Sequence, residues 1–281
     1  MNKLKKLICG IVALCCGFTF SACDFSAFLE NFDSAFEENT GGNSSDTHLD
    51  ESNTDNTDTD IDTDTYTDNS DTNTDSEDIV TDELSIHFLE LGNKYTGDCT
   101  LIKAGDIEVL IDAGSRKSSA GTIVEYVNQY CTDGVLEFVI ATHAHQDHIA
   151  GFVGTSTIDG VFESYECETI IDYPLTNATS VIRADYEKLR DAEVETGATH
   201  YTALDCWNEI NGAKRSYSLG EGITMDILYQ RFYEETTSDE NDYSVCVLIT
   251  QGEKNYLFTG DLEKDGEASL VQSNDLPKCV L

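Results

Sequence analysis

Apolar and polar positions alternate in short blocks from Leu84 onward, and the blocks read as strands separated by turns. LSIHFLELG (84–92), CTLIKAG (99–105) and IEVLIDAG (107–114) predict three strands in succession. VLEFVIATH (135–143) is mostly apolar, as a strand covered on both faces is. CETIIDY (167–173), RSYSL (215–219), ITMDILYQ (223–230), YSVCVLITQG (243–252) and KNYLFTGD (254–261) read as further strands. Helices are predicted over AGTIVEYVNQYC (120–131) and TSVIRADYEKLRDAEVE (179–195), and EKDGEASLVQS (263–273) starts a last one. Strands dominate and helices fall between them, so residues 84–281 are expected to form one layered α/β or α+β domain.

The chain ahead of this domain follows other rules. Lys3, Lys5 and Lys6 precede the apolar run LICGIVALCCGFTF, and SAC ends at Cys23. The run is short for a membrane span and small residues precede a cysteine, so residues 1–23 read as an export signal. FSAC resembles a bacterial lipobox, with Phe20 where leucine is more usual. Cys23 would then be lipidated and become the mature amino terminus; a plain signal peptide with a chance cysteine is the alternative. A diacylated cysteine carries enough hydrocarbon for stable anchoring, which places the protein on the extracytoplasmic face of a bacterial membrane. In residues 24–38, Phe25, Phe28, Leu29, Phe32 and Phe36 lie at helical spacing. This predicts a short amphipathic helix that lies on the bilayer or docks on the protein's own domain.

Residues 39–83 are Thr-, Asp- and Asn-rich with almost nothing to bury, which predicts a disordered, acidic linker. Asp58, Asp60, Asp62 and Asp64 have the D-x-D-x-D spacing of a calcium loop, but the turn glycine and later bidentate acid do not follow in register. A solvated stalk is the better reading, with a reach of up to about 150 Å when stretched.

Charge narrows the partners. The chain carries a net charge of −38, and the 13 basic and 34 acidic residues after Glu83 leave −21 on the domain. Such a surface repels polyanions, and no Lys/Arg stripe offsets it. The tight basic spots are SRK (115–117) and AKR (213–215). Six cysteines follow Cys23, with no CxxC among them and several inside strand-like runs. Buried free thiols are expected, although an exported protein permits disulfides.

The chemistry concentrates in ATHAHQDHIAGF (141–152). His143 and His145 follow a buried strand directly, and at i and i+2 in extended chain both imidazoles point the same way. Asp147 and His148 stand at the start of an expected helix on the same loop. One short segment therefore offers ligands to two neighbouring metal ions, and imidazole with carboxylate suits zinc, manganese or iron.

Together the motifs resemble the metallo-β-lactamase fold superfamily, and within it the extracytoplasmic hydrolase domain of the ComEC competence proteins and their stand-alone relatives. GDCTLIKAGDIEVLIDAG, THAHQDHIAG, the Asn241–Ser244 segment of NDYSV, and GDLEKDGE follow one another in the family's order. The resemblance implies an αββα four-layer sandwich and a hydrolase with two divalent ions, zinc or manganese. It implies that His143 and His145 hold the first ion and Asp147 and His148 the second. Asp261 would bridge them, which makes Asp147 and Asp261 the catalytic carboxylates. Asp112 would support the ligands from behind, and Glu267 would stabilise the start of the last helix. Asn241 and Ser244 would either contact substrate or shape the turn before a strand. The family continues into a His-His-Gly-Ser motif that has no counterpart before Leu281, so the domain reads as truncated at its C-terminus. His200 is a poor substitute ligand and His87 a core or surface residue.

Metal-activated hydrolysis of a phosphodiester is the expected function. The resemblance points to DNA, whereas the negative charge and a stalked anchor favour wall-linked or small phosphodiesters. A β-lactam fits the motifs less well. The alternative is a catalytically impaired surface module that binds metal or a partner. No protein partner is evident.

Overall fold

The computed structural model describes residues 81–92 and 94–281. The expected signal peptide with Cys23, the amphipathic helix over 24–38 and nearly all of the linker lie outside the described residues. Among the described residues, no helix is long and apolar enough to cross a membrane.

Among the described residues, ten strands form two sheets. Strands β1 (Leu84–Phe88), β2 (Thr100–Ala104) and β3 (Ile107–Ile111) form an antiparallel meander. Strands β4 (Val135–Ala141), β5 (Glu166–Asp172) and β6 (Thr199–Thr202) extend it in parallel, giving the order β1-β2-β3-β4-β5-β6. The second sheet is antiparallel, in the order β10 (Lys254–Phe258), β9 (Cys246–Gln251), β8 (Ile223–Leu228), β7 (Ser216–Gly220). Helices α1 (Ala120–Val127), α2 (Gln146–Val153), α3 (Val161–Ser164) and α4 (Val181–Thr196) fall between strands of the first sheet. Helix α5 (Ala203–Asn208) follows β6, and α6 (Lys264–Ser273) follows β10.

Side-chain alternation explains the layering. In β9, Val247 and Ile249 join the large core with Ile223, Met225 and Ile227 of β8 and the apolar residues of β2 to β5. Cys246 and Leu248 point the other way, into a smaller cluster with Leu228, Leu262 and Leu270 of α6. The large core also takes in Ile123, Ile149, Phe152 and Tyr186 from α1, α2 and α4. The order is thus helices, sheet, sheet, helix: the αββα sandwich expected from the sequence. Strand β4 is buried at Leu136, Val139, Ile140 and Ala141, as its apolar run predicted.

Three short elements were not foreseen. Strand β6 is Thr-His-Tyr-Thr at a sheet edge, too short and polar to give a periodic signal. Helix α3 has four residues and α5 six. The expected strand over 243–252 begins only at Cys246, because Glu240–Tyr243 winds into a 3-10 turn first. At the other edge, Val280 N–H donates to Asn255 O at 2.8 Å and Leu257 N–H to Leu281 O at 2.6 Å, so the final residues run beside β10. Cys99, Cys131, Cys167, Cys206 and Cys246 are buried free thiols, and Cys279 is free and partly exposed.

Candidate metal centre

The centre lies at the carboxyl end of β4, where four chain segments meet. The Thr142 N–H donates to Asp112 Oδ1 at 2.7 Å, and Val245 N–H to Thr142 O at 2.9 Å. Ala113 N–H donates to His148 O at 2.7 Å and Asp98 N–H to Asp147 O at 3.1 Å. These backbone bonds lace the β3–α1 loop and the residues before β2 onto the start of α2. Glycine is required for the close approach: a Cβ at Gly114 would lie 1.5 Å from Asp147 O, and one at Gly151 2.5 Å from Ala113 O. Gly260 has a left-handed φ of 54° and sits against Thr142 and Ser244, which brings Asp261 beside the histidines.

One ligand atom each of His143, His148 and Asp261 falls within 4.8 Å of the others. His143 Nε2 and His145 Nδ1 are 3.0 Å apart, and His148 Nε2 and Asp261 Oδ2 are 3.2 Å apart. The two i, i+2 imidazoles therefore do face the same way. Asp147 stands apart from this trio, with its Oδ2 accepting from Thr96 Oγ1 at 3.1 Å. Its charge nevertheless reaches Asp98, on which His148, Asp261 and Asp112 also act.

Asp112 is buried behind the trio. Its Oδ2 accepts from Thr142 Oγ1 at 2.7 Å and meets His148 Nδ1 at 2.8 Å. A proton on Nδ1 leaves Nε2 facing Asp261. Burial opposes charge on His148, but Asp112 and Asp261 outweigh it and raise its pKa to about 11, so a cation held at Nε2 would displace the proton that Nε2 directs at Asp261. Burial, together with the positive charge of His148 and His145, drives His143 down to about 3. Its hydrogen bond to His148 holds Asp261 below the usual carboxylate range. His143 is thus a neutral imidazole with a lone pair to offer.

Asn241 and Ser244 also reach the centre. Ser244 Oγ is 3.4 Å from His143 Nδ1. The Asn241 side chain interacts with the His143 ring, and its buried Oδ1 has no hydrogen bond of regular geometry. A poorly satisfied buried acceptor beside a neutral imidazole and a carboxylate fits a cation, since an undersatisfied buried oxygen is costly. The donor set is imidazole, carboxylate and amide oxygen, which suits zinc or manganese.

The other histidines lie elsewhere. His87 contacts Ser85 Oγ at 2.8 Å and Tyr126 OH at 3.0 Å. His200 Nε2 lies 2.8 Å from Asp172 Oδ1, whose carboxylate also accepts from Arg190 of α4 at 2.8 Å. Glu267 lies in the first turn of α6 with Asp265, where acids meet the positive end of the helix dipole.

Two residues of the centre had no role assigned from the sequence. Asp98 lines a cavity of about 270 Å³ with Asp112, Thr142 and Gly260, and burial raises its pKa. Its signal was the Gly97-Asp98 pair before β2. Glu240 is buried, and its carboxylate accepts from Thr176 Oγ1 at 2.6 Å, Asn177 N–H at 2.8 Å and Ala144 N–H at 3.4 Å. It ties the loop after β5 to the histidine loop. An acid in SDEND, next to Asn241, was the available hint.

No curated protein matches the chain. Among solved structures it is similar to the metallo-beta-lactamase fold protein YhfI from Bacillus subtilis, at 16% identity and a TM-score of 0.39, over 63% of this chain and 62% of that one. A metallo-beta-lactamase from Cronobacter sakazakii with a HARLDQ motif is similar at 13% identity and a TM-score of 0.36, over 66% and 68% of the two chains. A probable metal-dependent hydrolase from Staphylococcus aureus is similar at 11% identity and a TM-score of 0.36, over 70% and 85%. The chain thus spans 62% of the length of YhfI. Residues 92–154, the segment that holds Asp98, Asp112 and the whole His143–His148 cluster, match the family described as the metallo-beta-lactamase superfamily.

Proposed function

We propose that the domain is a metal-dependent hydrolase of the ComEC-like kind, acting on phosphodiesters. The observation that carries this reading is the convergence of His143, His148 and Asp261 beside the buried Asn241 Oδ1. His143, His145 and Asn241 would hold one divalent ion, zinc or manganese, and His148, Asp147 and Asp261 a second, with Asp261 shared. Bound there, such ions lower the pKa of a coordinated water and neutralise charge on the attacked centre. Asp112 does the orienting work of the chain: it keeps the Nδ1 proton on His148 and fixes the peptide of Thr142. Glu240 fixes the peptide of Ala144 between the two histidines.

The phosphodiester preference is supported at the rim. Thr96 bonds Asp147, and its neighbour Tyr95 carries the Arg116 guanidinium 3.6 Å above its ring, with Lys94 Nζ at 5.0 Å. In a domain at −21, two cations stacked on an exposed aromatic beside a candidate ligand suit an anionic substrate with a planar or sugar group. The absence of a wider basic stripe favours small or wall-linked phosphodiesters over long DNA. Lipidation of Cys23 would hold the enzyme on the outer face of the membrane, where such substrates occur.

The test is metal content and bis(p-nitrophenyl) phosphate hydrolysis by the full chain and His143→Ala, in Mn²⁺ or Zn²⁺. Turnover with about two bound ions per chain, lost in the variant, supports the reading. Metal binding with no turnover on any phosphodiester leaves a binding module.

A further inference from the structure

We propose that Glu108, Cys131 and Asp133 form a second, sulfur-containing cation site, distinct from the histidine centre and suited to zinc or another thiophilic divalent ion. One ligand atom from each residue lies within 4.8 Å of the others. Glu108 is near the start of β3, four residues from Asp112 at the strand's other end, or roughly 13 Å along extended chain. Cys131 and Asp133 belong to the turn between α1 and β4. The site is therefore at the opposite end of the first sheet from His143.

The Glu108 carboxylate is what a packed core leaves unexplained. Its side chain is 3% exposed, and Oε1 is taken by Lys103 Nζ. Its Oε2 is buried without a donor of regular hydrogen-bond geometry, and the carboxylate is crowded by that of Glu137. The ammonium thus satisfies one oxygen and leaves the other without the donor or cation that a buried carboxylate oxygen requires. Charge points the same way. Glu137 is also present, its Oε2 accepting the Glu108 N–H at 2.7 Å. Three carboxylates crowd one ammonium, and burial beside Glu137 raises the Glu108 pKa to about 7, a repulsion that a divalent ion relieves.

Cys131 sets the class of ion. Its Sγ is 3.0 Å from Val135 O and 3.8 Å from Asp133 Oδ1. A thiolate with two carboxylates and a water is a tetrahedral set for zinc, and thiolate disfavours magnesium and calcium. On binding, the Cys131 thiol gives its proton to solvent, loses its contact with Val135 O and forms the sulfur–metal bond. Asp133 is exposed, so an ion has a route in. No redox partner is needed, and the inference does not depend on hydrolytic activity.

Cobalt(II) titration of the full chain is the test, because the histidine centre contains no sulfur and a thiolate-to-cobalt charge-transfer band reports sulfur ligation alone. Cobalt added beyond what the histidine centre takes up should raise the band in the native chain to a plateau of one thiolate-bound ion, and zinc should abolish it. The band should be absent from Cys131→Ser, and Asp133→Asn should weaken the cobalt binding read by that band at least tenfold. Because Cys131 is buried, Asp133→Asn at an exposed position keeps the test open if Cys131→Ser does not fold. No band in the native chain overturns the site. A band that survives unchanged in both Cys131→Ser and Asp133→Asn assigns the sulfur to another cysteine and overturns it equally.

Discussion

Asp112 Oδ2 lies 2.8 Å from His148 Nδ1, and both side chains are almost wholly buried. The same carboxylate receives the Thr142 N–H and hydroxyl, so one acid fixes a candidate ligand and the strand end that leads into the other two histidines. Asp112 has a left-handed φ of 58°, which asparagine tolerates, so Asp112→Asn leaves the backbone unstrained. The amide has one acceptor oxygen for three donors. We expect metal affinity to fall about 10–100-fold, as when a ligand's supporting carboxylate is removed. Stability should fall by about 1–3 kcal/mol from the unpaired donors. Zinc titration and urea unfolding check the two effects, and an Asn variant that binds zinc like the native chain would remove Asp112 from the centre.

Glycine positions separate close approach from mere flexibility. Gly260→Ala places a Cβ 2.8 Å from Thr142 Cβ and 2.9 Å from Ser244 Oγ, at a φ of 54°. Gly114→Ala drives one into Asp147 O at 1.5 Å, where only backbone can give way. We expect Gly114→Ala to prevent recovery of folded protein, and Gly260→Ala to cost about 1–3 kcal/mol and weaken metal binding through Asp261. Gly121 in α1 is the control: its Cβ would sit 3.5 Å from Ile158 Cγ2, with no positive φ. Gly121→Ala should therefore stabilise by about 0.5–1 kcal/mol. Thermal unfolding of the three variants tests this order.

How much of this was legible in the sequence depended on where the signal resides. The strand β4 and the cluster after it were readable because apolar runs and i, i+2 histidines are local patterns. The succession of strands and helices pointed to a layered α/β or α+β domain, and the αββα order came from the family resemblance. Glu240 was not readable, because its work is done on Thr176 and Asn177, more than sixty positions away. The same holds for Tyr95 and Arg116, which meet only once the loops before β2 and after β3 close over α2. Glu108 looked like an ordinary polar position in an alternating strand. Its burial against Lys103 and Glu137 exists only in three dimensions.

Asp242 offers a test by pH. It is buried beneath α6, with Oδ1 accepting the Gly266 N–H at 3.2 Å and Oδ2 the Thr237 hydroxyl at 3.3 Å. Burial raises its pKa above the ordinary carboxylate range. The folded state then binds a proton more readily than the unfolded chain. Its contribution is complete below the unfolded carboxylate's pKa and is lost as pH rises through the folded value. Asp242→Asn keeps the acceptor for Gly266 and cannot ionise. Relative to the native chain it should gain stability between about pH 4 and pH 7, read by urea unfolding at both values. An equal difference at the two pH values would show that Asp242 has no part in the pH dependence.

The rim cations give the sharpest test of substrate class. Arg116 and Lys94 sit on the Tyr95 ring, next to Thr96, whose hydroxyl bonds Asp147. They touch none of the trio His143, His148 and Asp261, so their removal should leave bound metal unchanged. If they bind a phosphodiester in both ground and transition states, Arg116→Ala should raise KM about three- to tenfold with kcat nearly unchanged. Lys94→Ala should do so more weakly, since its Nζ stands farther from the ring and its charge is more hydrated. Raising ionic strength should shrink the difference between native and variant chains, because an exposed cation's attraction for an anion is screened within about 10 Å at 0.1 M salt. Parallel assays with an uncharged ester separate the causes: Arg116→Ala should leave its KM unaltered. If both substrates suffer alike, Arg116 and Tyr95 shape the loop, and anion recognition lies elsewhere on the rim.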